Sequence, residues 1–265
     1  MARSAIMNVM VQAALKAGRA LSRAYASPAD IKVSLKKPGD YVSTADRKAE
    51  DIIKSTLLMA KPNYSYLMEE GGEIIGSDNQ HRFIIDPLDG TTNFLHAVPF
   101  FCVSIALESQ GKLVAAVIYN PILDELFTAE RGQGAFLNDR RIRVSHRRNL
   151  EDCLISTGIP HIGKPEHNNY LQELRAIMPQ SAGIRRTGAA ALDLAYVASA
   201  RFDGFWEQDL QPWDMAAGIL LVTEAGGFIS DKTGGANMLN QNNIVAGNEY
   251  THKALLNHII ASNKE

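Results

Sequence analysis

The sequence predicts an α+β fold in which helices are layered on mixed sheets. Three observations indicate this fold. Apolar residues near the N-terminus recur at the three- and four-residue spacing of an amphipathic helix. Short apolar runs separated by turn residues fill the middle of the chain and are typical of strands. A later segment is apolar on nearly every helical face, and such a helix is usually buried between layers.

The helices are predicted from apolar periodicity and from capping residues. The first covers residues 4–26. The second begins at Ser43 or Thr44, because either hydroxyl can cap a helix, and continues to residue 60. Gly226 and Gly227 are expected to end the strongly apolar helix as a C-cap. The later helices are predicted at residues 168–177, 189–200, 213–225 and 250–260.

The strands are predicted where apolar runs stop at turn residues. The run at residues 82–85 is expected to end at Asp86, since Pro87 has no amide hydrogen for ladder pairing. A hairpin is predicted around Gln110–Gly111, and residues 36–40 are predicted to form a mobile turn. The strands are placed at residues 64–68, 82–85, 101–108, 112–119, 125–129, 134–137, 154–157, 202–206 and 244–246.

Size and charge bound the class of protein. The 265 residues are expected to form one compact domain with two intimate lobes, 1–148 and 149–265. A net charge of −2 gives no support for direct nucleic-acid binding. Polar residues interrupt the N-terminal segment, so we expect neither a signal peptide nor a membrane span. Cys102 and Cys153 lie in apolar stretches, and buried free thiols there would fit a cytoplasmic protein.

The densest chemical signal follows a very apolar strand and reads Asp86-Pro87-Leu88-Asp89-Gly90-Thr91-Thr92-Asn93. Two carboxylates on one turn suit a hard cation such as magnesium, and the Leu88 carbonyl can add a ligand. Free amides at the next helix start suit a phosphate, and Thr91 or Thr92 is predicted to cap that helix. A plain β-turn explains Asp-Gly alone, but the full string between apolar flanks favours the functional interpretation.

Two further acids extend this signal. Glu69 follows a short strand and precedes two glycines, and Asp214 opens the strongly apolar helix. Taken singly, the first is typical of a solvated acidic pair and the second of a helix N-terminus. Beside Asp86 and Asp89 they indicate a metal site, because four acids at close range would otherwise raise one another's pKa or repel the site open.

In this order, these segments resemble the signatures of the inositol monophosphatase family, within the wider group of lithium-sensitive, magnesium-dependent phosphatases. The similarity extends from the region of Asp46 to about Gly247. The string that begins at Asp86 and the segment 213–227 are its specific parts, whereas the Glu69–Glu70 pair is not specific. The resemblance implies an αβαβα sandwich of the sugar-phosphatase type, with helices between and outside mixed sheets.

The resemblance also implies two to three magnesium ions per site and a ligand for each. Glu69, Asp86 and the Leu88 carbonyl resemble the ligands of one magnesium. Asp86, Asp89 and Asp214 resemble those of a second, and Glu69 is implied to touch a third, weaker ion. These assignments extend the carboxylate cluster to a complete metal centre.

Catalytic and substrate roles are implied in the same way. Thr91, hydrogen-bonded to Asp46, resembles the pair that positions and activates the attacking water, and Glu69 joins them as a catalytic residue. Glu207 resembles the acid that holds a substrate hydroxyl, and residues 188–190 resemble a loop against the polyol ring. The implied substrate-binding residues are Asp89, Gly90, Thr91, Thr92, Gly188, Ala189, Ala190 and Glu207.

The function expected from the resemblance is hydrolysis of inositol 1-phosphate to inositol and phosphate by metal-activated water. One alternative is the same metal site acting on a nucleotide 3′-phosphate, fructose bisphosphate or histidinol phosphate. Glu207 favours the first function, because it suits a ring hydroxyl and would repel a second phosphate. Another alternative is a regulatory protein that docks on a macromolecule, since some bacterial relatives partner the transcription machinery. The family also implies a homodimer.

Overall fold

The computed structural model describes residues 3–27, 33–37, 40–162 and 167–262. In these residues the α-helices are α1 (Ala5–Tyr25), α2 (Thr44–Ala60), α3 (Thr91–Leu95), α4 (His167–Ile177), α5 (Ala190–Ala198), α6 (Pro212–Glu224), α7 (Met238–Gln241) and α8 (Glu249–Ser262). The strands are β1 (Val33–Lys37), β2 (Asp40–Ser43), β3 (Ser65–Met68), β4 (Gly72–Ile74), β5 (His81–Asp89), β6 (Cys102–Ser109), β7 (Lys112–Asn120), β8 (Glu125–Glu130), β9 (Gly134–Leu137), β10 (Arg140–Ile142), β11 (Leu154–Thr157), β12 (Gly183–Arg185), β13 (Gly204–Gln208), β14 (Phe228–Ser230) and β15 (Asn243–Gly247).

These strands form two large mixed sheets and one hairpin within the described ranges. The larger sheet has eight strands in the order β10-β9-β8-β7-β6-β5-β3-β4. The smaller has five strands in the order β12-β11-β13-β15-β14, and β1 pairs with β2 alone. Strand β3 runs parallel to β5, and β11 runs parallel to β12 and β13. Both large sheets therefore combine parallel and antiparallel pairs, as the sequence predicted.

Helices cover both faces of each large sheet and build five layers. Helices α1 and α2 pack on each other and on the outer face of the larger sheet. Helices α5 and α6 contact strands of both sheets and fill the space between them. On the far side, α4 and α8 bury apolar side chains against the smaller sheet. The predicted αβαβα sandwich is confirmed.

The central helices are apolar on nearly every side because they face a sheet in both directions. They also approach each other closely. A Cβ on Gly218 of α6 would lie 2.4 Å from Leu194 of α5, so the absence of a side chain there permits the contact. Gly226, with φ of 83°, follows the C-terminus of α6, and the Gly227 amide donates to the Val222 carbonyl. The predicted glycine cap is confirmed.

Strand β5 does not end where the sequence predicted. It continues through Pro87 to Asp89, and its register with β6 shifts between Asp86 and Asp89. Asp86 lies opposite Ser104, whereas Asp89 lies opposite Cys102, so β5 carries one extra residue. A bulge of this kind accommodates a proline, which has no hydrogen to give to the ladder. The prediction of an end at Asp86 is therefore wrong.

The cap of α2 follows the prediction, but the cap of α3 does not. Ser4 caps α1, and Ser43 forms a capping box at α2. At α3 the N-cap is Gly90, which has φ of 92° and no side chain to cap with. The hydroxyl of Thr91 makes its hydrogen bonds elsewhere. The prediction of a threonine cap is wrong, because this turn needs the left-handed conformation that glycine adopts freely.

Short elements account for most other differences. Strands β10, β12 and β14 have three residues each, and no apolar run in the sequence marked them. The segment predicted as a turn at residues 36–40 includes the ends of β1 and β2, while Pro38 and Gly39 lie outside the described residues. Both cysteines are buried and unpaired, as predicted. No helix in the described part of the chain has the length and apolarity to cross a membrane.

Candidate active site

The bulge at the end of β5 fixes two aspartates. The Leu88 amide donates a 2.9 Å hydrogen bond to Asp86 Oδ1, which closes the turn on itself. A Cβ on Gly90 would lie 3.0 Å from the Phe100 carbonyl oxygen. Glycine is therefore needed after Asp89 both for the positive φ and for this close approach.

Thr91 links this turn to Asp46, the third residue of α2. Its Oγ1 lies 3.1 Å from Asp46 Oδ1 and 3.1 Å from the Leu88 carbonyl oxygen. One hydroxyl proton serves one acceptor at a time, and ionised Asp46 is the stronger acceptor. Ser43 holds Asp46 Oδ2 through its amide at 2.9 Å and its hydroxyl at 2.5 Å. Burial raises the pKa of Asp46, and these hydrogen bonds oppose that rise.

Asp89 joins the larger sheet to the first turn of α5. Its Oδ2 accepts a 2.7 Å hydrogen bond from the Ala191 amide. Burial raises the pKa of Asp89 to about 7, and the charge of Glu69 adds to that rise. The amides of Ala190, Ala191 and Leu192 oppose it, because the start of a helix favours a negative charge. Asp89 is thus a buried acid whose Oδ2 accepts hydrogen bonds from the Ala191 amide and, at 3.8 Å, from the Cys102 thiol.

The four acids among the predicted metal ligands influence one another. Burial raises the pKa of Asp86 well above its usual range, and the negative charges of Glu69, Asp89 and Asp214 raise it further. Asp214 is also held by its own helix, because its Oδ2 accepts a 2.7 Å hydrogen bond from the Gln211 amide at the start of α6. The sequence offered two interpretations of Asp214, an acid that stabilises a helix start or an acid of the metal site. In the structure Asp214 fits both, because it accepts a hydrogen bond at the start of α6 and also lines the pocket.

Strand β13 brings a further acid, Glu207, to the same region. A Cβ on Gly158 would lie 1.9 Å from the Glu207 carboxyl carbon, so only glycine leaves space for this carboxylate. Nearby, buried Asp193 accepts a 2.5 Å hydrogen bond from Thr187 Oγ1. Burial raises the pKa of Asp193 well above its usual range, and the charge of Glu207 contributes to that shift.

These residues surround one open pocket of about 200 Å³. The predicted residues that line it are Glu69, Asp89, Gly90, Thr91, Thr92, Gly188, Ala189, Ala190, Glu207 and Asp214. Behind them, Asp46 and the Leu88 carbonyl contact the Thr91 hydroxyl, and buried Asp86 contacts the Leu88 amide. The structure therefore brings together every residue that the sequence singled out. Their metal-binding and substrate-binding roles stay predictions.

Several residues around the pocket were not predicted. The additional lining residues are Gly158, Ile159, Pro160, His161, Arg186, Gln208, Asp209 and Leu210. Residues 158–161 could have been predicted from the sequence, because they follow the carboxyl end of strand β11. Ligand contacts in α/β sheets are commonly found at this end of a strand. Asn93 ends the predicted string, but no role was predicted for it. Its Nδ2 donates to the carbonyls of Phe100 at 2.7 Å and Thr187 at 2.8 Å, and thereby ties two loops of the site together.

The donors around Asp86 fit a hard divalent cation. They are carboxylate and carbonyl oxygens, the ligands that magnesium prefers in proteins. Among the described residues, no three histidine, cysteine, aspartate or glutamate side chains converge as a ready-made metal centre. The acids nevertheless lie close enough to raise the pKa of Asp86 through their charges, and a bound cation would relieve that repulsion.

The layered fold and the acid-lined pocket place the chain in the class of αβαβα phosphatases. The model of the inositol monophosphatase family matches residues 2–265, and the chain belongs to that family. It is similar to an inositol-1-monophosphatase of Mesorhizobium japonicum, with 62% identity over 97% of this chain and 96% of the relative. It is also similar to the Nus factor SuhB of Escherichia coli K12, with 46% identity over 95% of this chain and 94% of the relative.

A solved structure shows the same fold. The extragenic suppressor protein SuhB from Bartonella henselae superposes with a TM-score of 0.95 and is 66% identical. The superposition covers 97% of this chain and 98% of that protein. The similarity thus includes both sheets and all the elements that carry the pocket.

Proposed function

We propose that this chain is a magnesium-dependent phosphomonoesterase that hydrolyses inositol monophosphate to inositol and phosphate. One observation carries the proposal. The acids Glu69, Asp89 and Asp214 line a single pocket together with Glu207, in a chain of the inositol monophosphatase family. The name of the Mesorhizobium japonicum relative supports the same substrate.

In this proposal, Glu69, Asp86, Asp89, Asp214 and the Leu88 carbonyl hold two magnesium ions, and Glu69 touches a third, weaker one. When bound, magnesium supplies positive charge that offsets the charges of the phosphate and of the attacking and leaving oxygens. The carboxylates come from the end of β3, the end of β5 and the start of α6, all on elements fixed by the sheets. Such rigid placement holds the ligands in position before the substrate arrives.

Thr91 and Asp46 position the attacking water. When the Thr91 hydroxyl donates to Asp46, the lone pairs of Oγ1 remain to accept a hydrogen bond from water. Asp46 is held in turn by the amide and hydroxyl of Ser43, so the donor direction of Thr91 is fixed by α2. Glu69, which lines the same pocket, joins them as a proton acceptor.

The substrate is held at both ends of the pocket. The amides of Gly90 and Thr91 lie at the start of α3, where no intrahelical acceptor is available to them, and suit the phosphate oxygens. Residues 188–190 pack against the polyol ring, and Glu207 accepts a hydrogen bond from a ring hydroxyl. Glu207 also disfavours a ligand with a second phosphate, because two negative charges would lie close together.

A phosphate-release assay tests the proposal. The purified chain is supplied with magnesium and with inositol 1-phosphate, adenosine 3′,5′-bisphosphate, fructose 1,6-bisphosphate or histidinol phosphate. We expect kcat/KM to be largest for inositol 1-phosphate. Release from a different substrate of the panel with higher kcat/KM would instead support the alternative use of the same metal site.

The metal requirement is tested in the same assay. Removal of divalent cations with a chelator is expected to abolish turnover, and added magnesium is expected to restore it. Lithium, added with magnesium present, is expected to inhibit. Full turnover after chelation would contradict the assignment of the acids to a metal centre.

A second candidate function rests on the similarity to a protein named Nus factor SuhB. We propose that the chain also docks on the transcription machinery, as a homodimer in the cytoplasm. The test compares the wild-type chain with Asp89→Asn, which should lack phosphatase activity. Recovery of RNA polymerase with both proteins would separate docking from catalysis, and sedimentation of either protein gives its subunit number.

A further inference from the structure

Strand β13 extends past its ladder with β11 at Glu207. Strand β13 pairs with β15 along its whole length, including Glu207 opposite Ile244. On its other edge, the pairing with β11 ends at Trp206, which lies opposite Thr157. Residues 207 and 208 therefore extend beyond the paired part of β11, at the edge where the pocket begins.

The buried carboxylate of Glu173 accepts a hydrogen bond from Trp206, the residue before Glu207. Glu173 of α4 is fully buried, and its Oε2 accepts a 3.2 Å hydrogen bond from the indole Nε1 of buried Trp206. The Trp206 ring stacks on Tyr170, which lies one turn earlier on the same helix, with 6.3 Å between ring centroids. Helix α4 thus holds Trp206 by one hydrogen bond and one ring contact.

Lys232, the ion-pair partner of Glu173, donates a hydrogen bond to Gln208, the residue after Glu207. Lys232, which follows β14, forms an ion pair with Glu173 through Oε1. The same ammonium group donates a 2.7 Å hydrogen bond to Gln208 Oε1. Lys232 is itself fixed, because its amide donates a 2.7 Å hydrogen bond to Asn243 Oδ1 on β15. A single ion pair therefore contacts both neighbours of Glu207.

This arrangement separates the ion pair from the pocket. Successive side chains of a strand point to opposite faces, so Trp206 lies on the face opposite Glu207. Gln208, at the end of the strand, contacts Lys232 and also lines the pocket. Glu173 lies on the same face as Trp206, with the apolar cluster of α4 and α8. The ion pair is not among the residues that line the pocket. It can act on a ligand only through Glu207 and Gln208, the two residues of this segment that line the pocket.

From this geometry we propose that Glu173 and Lys232 are positioning residues that hold Glu207 against the substrate and thereby set selectivity for a polyol phosphate. The inference rests on the proposed function of the pocket. A buried ion pair is weak support for stability, since desolvation offsets much of its attraction, and fixing a unique arrangement is its better-attested use. Loss of the pair should let Glu207 move by a fraction of an ångström, which weakens only the contacts that Glu207 makes.

The test measures kcat/KM for two substrates with magnesium present. Inositol 1-phosphate offers ring hydroxyls to Glu207, whereas 4-nitrophenyl phosphate offers none. Their ratio is the selectivity. We expect Glu207→Gln, Glu173→Gln and Lys232→Met each to lower the ratio about tenfold, through a higher KM for inositol 1-phosphate, with 4-nitrophenyl phosphate little changed. Combined with Glu207→Gln, Glu173→Gln should lower the ratio no further, because both act on one contact.

Two further variants distinguish a change in selectivity from a general loss of stability. Trp206→Phe keeps a buried aromatic ring, removes the hydrogen bond to Glu173 and leaves a small cavity, so it should lower the selectivity at a moderate cost in stability. Asp203→Asn is the matched control. Asp203 is equally buried, precedes the opposite end of β13, and accepts a 3.0 Å hydrogen bond from Arg147. Its loss should lower the unfolding midpoint and leave the selectivity unchanged.

The outcomes separate this inference from the proposed function. If wild-type protein releases phosphate from neither substrate, the proposed function is wrong and the inference is overturned with it. If the wild type prefers inositol 1-phosphate, and Glu173→Gln and Trp206→Phe keep that preference, only the positioning role is overturned. An equal decrease for both substrates would assign the ion pair to stability alone and would also overturn it.

Discussion

Asp89 Oδ2 accepts a 2.7 Å hydrogen bond from the Ala191 amide, and this bond joins the end of a strand in the larger sheet to the first turn of a central helix. The two residues are distant in sequence, so their contact depends on the packing of α5 between the sheets. Asp89 therefore has a structural partner as well as the metal-binding role proposed for it. The two roles can be separated by substitution.

Asp89→Asn is expected to keep the fold and lose turnover. The amide oxygen of asparagine can still accept the hydrogen bond from Ala191, while the negative charge that we assign to metal binding is gone. We expect kcat to fall about a hundredfold or more, with an unfolding midpoint equal to or above that of the wild type. Phosphate release and thermal unfolding give the two values. Near-normal turnover would remove Asp89 from the proposed metal centre.

Thr91 offers a test of the water-positioning pair. Thr91→Val keeps the shape of the side chain but removes the hydroxyl that contacts Asp46, whereas Thr91→Ser keeps the hydroxyl. We expect the valine variant to lose about 10²-fold to 10⁴-fold in kcat and the serine variant to stay within tenfold of wild type. Stopped-assay rates with inositol 1-phosphate measure both. Equal rates for the two variants would contradict the role of the hydroxyl.

Gly158→Ala is predicted to displace the carboxylate of Glu207. In Gly158→Ala the new methyl carbon would lie 1.9 Å from the Glu207 carboxyl carbon, so the acid must move. We expect a higher KM for inositol 1-phosphate with little change in stability, because the new methyl group would meet only the end of a flexible side chain. Gly183→Ala is the control, since its methyl group would be no closer than 3.4 Å to a neighbour. A normal KM in the Gly158 variant would show that Glu207 is free to shift without cost.

His252 is expected to make stability depend on pH. Burial lowers its pKa below 6.5, and its Nε2 lies 2.8 Å from Ser230 Oγ. The unfolded chain binds a proton at higher pH than the folded chain does, so unfolding takes up a proton in the window below about pH 6.5. Stability from this group is complete above that pH and decreases as the pH falls through the folded pKa.

Urea unfolding of His252→Gln measures that dependence. The glutamine side chain keeps a polar contact for Ser230 and cannot titrate. We expect the wild-type free energy of unfolding to fall more steeply than that of the variant between pH 6.5 and pH 5. Identical slopes would show that His252 is as readily protonated in the folded protein as in the unfolded chain.

The sequence was informative wherever a local pattern decided the structure. Helices α1 and α2 were predicted within one residue of their observed ends, because periodic apolar residues and serine caps act over a few residues. The hairpin of β6 and β7 was also correct, since Gln110 and Gly111 both adopt positive φ in its turn. Strands β10, β12 and β14 were missed because three residues held by neighbouring strands carry no periodic signal of their own.

In the site, too, features set by local sequence patterns were predicted, and features set by contacts between distant segments were not. The acids at the ends of β3 and β5 and at the start of α6 were singled out from motifs, and the structure places them around one pocket. The bulge at Pro87 and the glycine cap of α3 depend on how β5 pairs with β6. Sequence patterns that cover only a few neighbouring residues do not predict this pairing. Glu173 looked like an ordinary helix acid, and its burial is visible only once α4 packs on the smaller sheet.

The order in which the pocket acids occur along the chain has a consequence for the newly made protein. Glu69 and Asp89 leave the ribosome early, whereas Asp214 emerges only after most of the polypeptide has been synthesised. A nascent chain that has already built its larger sheet still lacks one wall of the pocket. Hydrolysis would therefore begin only once both sheets have packed against α5 and α6. The onset of activity can thus be used to measure when folding is complete.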